Sequence, residues 1–290
     1  MSNGQLADEV GESGWPVWRD RIRKLPWVPL LIVAAMVLVG ALAPLLTAHS
    51  PYKPSLPNRL QPPSGEYLLG TDALGRDLLT RLFFGARITL IIIALAMVVG
   101  GGTGLVLGTL AGYVAGKVDI LISRVVDALL AFPPIFFALL FAVSLGPGLK
   151  SVVLAISLVL WARFARVIRG EVLAVKELDF VAQARVNGCS DLRIIMVHIL
   201  PNVANTFMVL LSLNIGWVIT VEASLSFLGA GIPPPTPSWG AMIAEGQQYI
   251  SSAWWISIVP GLAITLEVLA FNLFGDWLRD FLDPKLREQL

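Results

Sequence analysis

The stretch from Glu171 to Asn202, EVLAVKELDFVAQARVNGCSDLRIIMVHILPN, decides how the rest of the chain folds. It is the one polar block long enough to form structure of its own between apolar runs of membrane length. Leu173, Val181, Ala184 and Gly188 fall on one helical face with charged residues between them, which predicts a short amphipathic helix beginning at Glu171. Gly188 ends that helix. Ser190 is a good N-cap for a second helix, Asp191 sits in its first turn near the positive end of the dipole, and Pro201 marks where the next segment begins. Two short helices joined by a glycine turn have too little apolar surface to form a domain, so they must dock on something. The small residues Ala182, Ala184 and Gly188 allow another backbone to come close.

Outward from this block the chain is apolar. With 56% hydrophobic and 14% charged residues and a mean hydropathy of +0.76, it is too apolar for a water-soluble globule and reads as an all-α integral membrane protein. Charge-poor runs predict six spans, over 27–46, 88–113, 128–145, 151–168, 203–227 and 253–274. The fourth has only twelve uncharged residues before Arg163, although Arg163 and Arg166 are close enough to an end to snorkel. Before the first span, Trp15, Trp18 and Ile22 alternate with Arg19, Arg21, Arg23 and Lys24, an interfacial helix following an acidic start. Fifteen Lys and Arg residues fall on the side of the Glu171–Asn202 block and six on the other, which predicts that the block and both termini are cytoplasmic.

Glycines at 100, 104, 108, 112 and 116 share one face of the second span, a stripe on which a neighbouring helix can pack at backbone distance. A nucleotide loop is excluded there, because no strand precedes it and no Lys-Ser/Thr follows. Between Thr47 and Arg87, Thr71 is expected to cap an amphipathic helix with Leu74, Leu78, Leu82 and Ile88 on its apolar face, lying on the outer surface. It either leads into span 2, meets an external partner, or does both.

No catalytic constellation stands out. His49 and His198 flank spans, so neither a Ser-His dyad nor a histidine metal centre in the membrane is available, and the lone Cys189 forms no disulfide or metal cluster. No Walker motif is present, so energy must come from another chain. The net charge of +1, without a basic face, gives no case for nucleic acid. Glu222 near the outer end of span 5 and Glu267 in span 6 are costly enough to suggest either a pathway, a subunit interface or structural pairing. Asp276, Arg279, Asp280 and Asp283 form a solvated charge cluster closing the last helix.

The docking block resembles the cytoplasmic loop of ATP-binding-cassette (ABC) importer permeases, patterned E-A-A, three residues, G, nine residues, I-x-L-P. The spacing runs from Ala182-Gln183-Ala184 through Gly188 to Leu200-Pro201, with Ala182 for the Glu, Gln183 for the first Ala and His198 for the Ile. GTDALGRDLLTRLFFGAR before span 2, EASLSFLGAGIPPPTPSWG over 222–240, and the run from Asn272 to Pro284 are similar to the C-type permease of peptide and nickel importers. The resemblance extends from about residue 68 to 285.

It implies the type I importer permease fold: a tail and interfacial helix over 1–26, a first span over 27–46, an outer loop over 47–87, a five-helix core over 88–278 carrying the coupling loop 171–202, and a tail over 279–290. It further implies a multi-pass protein of the plasma (inner) membrane of a prokaryote. A second permease, two ATPases that use ATP and Mg, and an extracytoplasmic binding protein would be its partners, beside the lipid. This chain would bind no cofactor and hold no ATPase site, and would import di- or oligopeptides or, alternatively, nickel, glutathione or another small solute. Two other classes compete. An intramembrane enzyme needs ionisable pairs deep in the spans, and a secondary transporter needs midplane carboxylates in repeated halves; neither pattern is found.

Overall fold

The first span forms where hydropathy puts it: α1, Trp27–Leu46, is about 30 Å long at 1.5 Å per residue, the thickness of a bilayer's hydrocarbon core. The computed structural model describes residues 26–282, so the interfacial helix expected around Trp15–Lys24 and the last tail residues lie outside the described part. Every regular element among the described residues is helical, as an apolar chain in lipid requires, since helices satisfy their own backbone hydrogen bonds.

The second helix differs from its expectation. No surface helix is capped by Thr71. Asp72 accepts hydrogen bonds from the backbone N–H groups of Leu74 and Arg76, and Gly75 takes φ +72°, so 71–77 closes as a tight turn. The Thr71 hydroxyl donates to the Asn58 carbonyl at 2.5 Å instead of capping. Asp77 is the N-cap, its carboxylate accepting from Thr80 N–H at 2.9 Å, and α2 runs from there without a break, Leu78–Val114. One wide turn interrupts its regularity at Met97–Gly101.

The third span is broken. After a reversal at Ala115 and Gly116, both at positive φ, α3 (Gly116–Leu130) and α4 (Pro134–Leu145) meet at 88°. Pro133 and Pro134 supply the reason, because proline removes a helical hydrogen bond and holds the preceding residue extended. The span expected over 128–145 is therefore α4 with the last turn of α3. Five described helices are long and apolar enough to cross a membrane, and six if this bent pair counts as one.

The fourth span, the one whose uncharged run is cut short by Arg163, is the centre of the bundle. In α5, Leu149–Val175, 67% of the most apolar window is buried, against 22% in α1. It continues two turns past the expected end, so Glu171 to Val175 belong to the span and not to the loop. Two of its arginines have carboxylate partners: Arg166 pairs with Asp127 at 2.6 Å, and Arg169 holds the Asp119 carboxylate through Nε and Nη2.

The glycine stripe is what brings α2 against α5. A Cβ on Gly100, Gly104, Gly108 or Gly112 would come within 3 Å of Leu160 Cβ, Phe164 Cβ, the Ala165 carbonyl or Val172 Cβ respectively. Such close approach is how helices associate where lipid removes the hydrophobic driving force. Gly116 is not part of the stripe, because the helix has ended and the residue faces open space.

The remaining helices are α6 (Asp179–Val186), α7 (Asp191–Phe227), α8 (Trp239–Gln247) and α9 (Trp255–Leu282). Pro201, expected to divide the loop from the next span, lies inside α7; the wide turn at Ile195–Ile199 just before it accommodates the missing N–H. The loop thus holds one free-standing helix, not two.

Candidate functional site

Two places in this bundle concentrate polar chemistry, one at each end of the helices. At the end where α5 stops, Lys176 donates to the Gly112 carbonyl at 2.9 Å, closing the C-terminus of α2 with a cation. The chain then turns at Leu178 and forms α6. Val181 and Ala184 are buried against Ile168, Val172 and Val175 of α5 and Ile194, Ile199 and Val203 of α7. At the far side of α6, Gly188 has φ +77°, and the Cys189 N–H reaches back to the Ala184 carbonyl at 3.1 Å. That 6→1 bond around a left-handed glycine is a Schellman stop.

Ser190 occupies the N-cap position of α7, but its hydroxyl makes no cap bond. Asp191 instead accepts from the Tyr113 hydroxyl at 2.6 Å, and the Arg185 guanidinium lies 5.9 Å from the Tyr113 ring. The last turn of α2 therefore touches both sides of the α6–α7 turn.

Of the residues that the sequence singled out, Ala182, Gln183, Gly188, Asp191 and Pro201 are exposed, whereas Ala184 and Leu200 face inward to differing degrees. Ala184 is thus a packing residue on the inner side of α6, not part of a surface open to another protein. The open face is Asp179, Ala182, Gln183, Val186 and Asn187, lining a shallow depression of about 510 Å³. Val186 is 88% exposed. A valine so placed, one residue off the expected face, is the signal in sequence that identifies this surface.

At the opposite end, four charges from distant parts of the sequence, 72–81 and α8, form one network, with Asp72, Arg76 and Arg81 buried and Glu245 partly exposed. Asp72 Oδ2 accepts from Arg76 Nε at 2.6 Å and from Arg81 Nη1 at 2.9 Å, while Glu245 Oε2 on α8 accepts from both arginines at 3.1 Å. Burial pushes the Glu245 carboxyl above its ordinary range, against the pull of the Arg76 guanidinium. Trp239 Nε1 donates to the Leu82 carbonyl at 2.9 Å and Trp255 Nε1 to the Thr71 carbonyl at 3.1 Å, so the start of α2 is fastened to α8 and the turn 71–77 to α9.

Glu222 and Glu267 are not part of this network. Glu222 is buried and accepts from the Ser226 hydroxyl at 2.8 Å on its own helix. Glu267 is buried on α9, and its Oε2 has no hydrogen-bond partner among the described residues. No group of three or more His, Cys, Asp or Glu that could hold a metal ion occurs among the described residues.

Comparison with known proteins places the chain among transport components. A family model described as "Binding-protein-dependent transport system inner membrane component" matches residues 104–288. The chain is 45% identical over 269 residues to a protein of Brucella abortus named as a peptide transport system permease, covering 93% of this chain and 90% of that one. It is 41% identical over 275 residues to the dipeptide transport system permease protein DppC of Alkalihalophilus pseudofirmus, covering 93% and 90%. Among solved structures, a chain of the MetNI methionine ABC transporter in inward-facing conformations superposes with a TM-score of 0.54 at 17% identity, over 71% of this chain and 96% of that chain. That likeness is one of fold.

Proposed function

Since this chain belongs to the binding-protein-dependent transport system inner membrane components, we propose that it is one of two permease subunits of an ATP-driven importer of di- or oligopeptides. A second, different permease supplies the other half of the pathway. An extracytoplasmic binding protein delivers the peptide, and two ATPase subunits, using ATP and Mg, drive the cycle. This chain hydrolyses nothing itself. The peptide cargo is the reading favoured by the names of its close relatives.

The observation that carries the mechanical part is α6. It presents Ala182, Gln183, Val186 and Asn187 outward while its other face is packed on α5 and α7. A partner pushing on that open face moves a helix whose two flanks are bonded to α2, Lys176 before it to the Gly112 carbonyl and Asp191 after it to the Tyr113 hydroxyl. We place this face on the cytoplasmic side, where ATPases bind, and both termini with it. The basic asymmetry of the loops supports that orientation. The Asp72–Arg76–Arg81–Glu245 network then lies on the outer side, fixing the surface that the binding protein approaches.

The test is reconstitution. The tagged chain is purified from its own membrane with whatever accompanies it, placed in liposomes with the binding protein, and supplied with labelled dipeptide and internal ATP. ATP-dependent uptake by the full assembly, lost when the ATPases are omitted, is the expected result. Uptake by this chain alone without ATP would refute it.

A further inference from the structure

Arg163 stands fifteenth of the 27 residues of α5, about 21 Å from its Leu149 end and about 18 Å from its Val175 end. A side chain there is expected to snorkel to the nearer interface. It does not. Its guanidinium carbon lies 4.1 Å from the centre of the Trp217 ring on α7, and Trp217 is itself ten residues, about 15 Å, from the far end of that helix at Phe227. The stack therefore holds the cation deep between the two surfaces.

The next arginines toward the loop have carboxylates, Asp127 for Arg166 and Asp119 for Arg169. Arg163 has none within ion-pair distance among the described residues; its guanidinium lies over the neutral Trp217 ring instead. It is only partly buried. Val167, Gly170 and Ala174, which follow it at helical spacing, are exposed, and nothing lies within 4 Å of the position a Cβ would take on Gly170. Arg163 thus heads an open strip of α5 that runs toward the α6 end.

A guanidinium without a carboxylate in a membrane span is costly unless it faces water or an anion. Stacking occupies one face of the guanidinium plane and leaves its edge N–H donors free, the geometry that binds a carboxylate through two parallel hydrogen bonds. We propose that Arg163, oriented by Trp217, is a binding site in the translocation path for the α-carboxylate of the passing peptide. This rests on the reading of the chain as a peptide permease. The α-carboxylate is the group all such peptides share whatever their side chains, so one fixed guanidinium serves a broad range of cargo. With a single anchor, the peptide is held in register and still released.

The test uses the complete reconstituted transporter and two probes, alanyl-phenylalanine and its C-terminal amide, each supplied at a concentration that half-loads the binding protein. Initial uptake by each variant is divided by wild-type uptake of the same probe, which removes the binding protein's own preference. Arg163→Gln is expected to lose about ten- to a hundredfold with the free acid, the weight of a hydrogen bond pair to a charged group, and less than about twofold with the amide. Arg163→Lys should fall between, since an ammonium neither stacks flat nor offers a fork, and Trp217→Phe should shift the ratio less but in the same direction. Equal loss with both probes, as an ion pair to the second permease would give, overturns the proposal. So does no loss with either. If Arg163→Gln fails to assemble, Arg163→Lys decides on the same ratio. A wild-type assembly that takes up neither probe refutes the peptide reading itself, and this site with it.

Discussion

Replacing Gly104 by Ala should destabilise the protein, while replacing Gly102 by Ala, two residues away on the same helix, should not. A Cβ on Gly104 would sit 2.4 Å from Phe164 Cβ and 2.8 Å from the Trp161 carbonyl, and ordinary contact begins near 3.4 Å. The helices α2 and α5 must therefore separate by about 1 Å, and both obstructing atoms are fixed to the α5 backbone, so no side chain can rotate away. Overpacking of this kind costs about 1–3 kcal/mol. The higher helix propensity of Ala returns about 1 kcal/mol, leaving a net loss of up to about 2 kcal/mol. Gly102 has nothing within 4 Å of its would-be Cβ, so there the propensity term acts alone and stability should hold or rise. Leu at 104 should be far worse than Ala, because α5 is also the helix that Asp119 and Asp127 grip through Arg169 and Arg166. The assay is thermal unfolding of purified protein in detergent, followed by loss of the monodisperse peak on gel filtration after heating. At roughly 2–4 °C per kcal/mol for a chain of this size, Gly104→Ala should fall a few degrees below Gly102→Ala. Equal melting of the two would mean that the stripe does not set the α2–α5 distance.

Val186→Asp, on the open face of α6, should leave melting within about 0.5 kcal/mol of wild type yet sharply reduce ATP-driven uptake; normal uptake would remove this face from the coupling surface. Asp72→Asn strips the carboxylate from two buried arginines and should cost about 3–5 kcal/mol, seen as a collapse in folded yield, whereas Glu245→Gln should cost clearly less because Glu245 is 30% exposed and Asp72 remains. Gly188→Ala meets no atom but must adopt φ +77°; a loss of about 1–2 kcal/mol is expected from backbone strain alone, and a larger loss would point to crowding. In sealed right-side-out vesicles lacking Cys189, an impermeant thiol reagent should label Pro233→Cys and spare Glu177→Cys until the membrane is opened; both positions are exposed, so the reverse result would invert the orientation.

What the sequence determined by itself was local. Twenty apolar residues from Trp27 to Leu46 must cross lipid as a helix whatever surrounds them, because no other backbone arrangement satisfies its own hydrogen bonds there. The stop at Gly188 was equally legible, since a left-handed residue is a property of one position. Helix ends were less so: α5 runs through Glu171 and α7 through Pro201, because packing on neighbours and one wide turn outweighed polar composition and a proline. Only the tertiary structure decided partners. Nothing local distinguishes a glycine stripe that meets the chain's own α5 from one that meets another subunit, or makes the span interrupted by Arg163 and Arg166 the most buried. Arg76 and Glu245, 169 residues apart, share one charge network, and Arg163 lies on Trp217 instead of at the surface. Such pairings depend on which helix faces are brought together, and those faces are chosen by the packing of the whole bundle rather than by any segment within it.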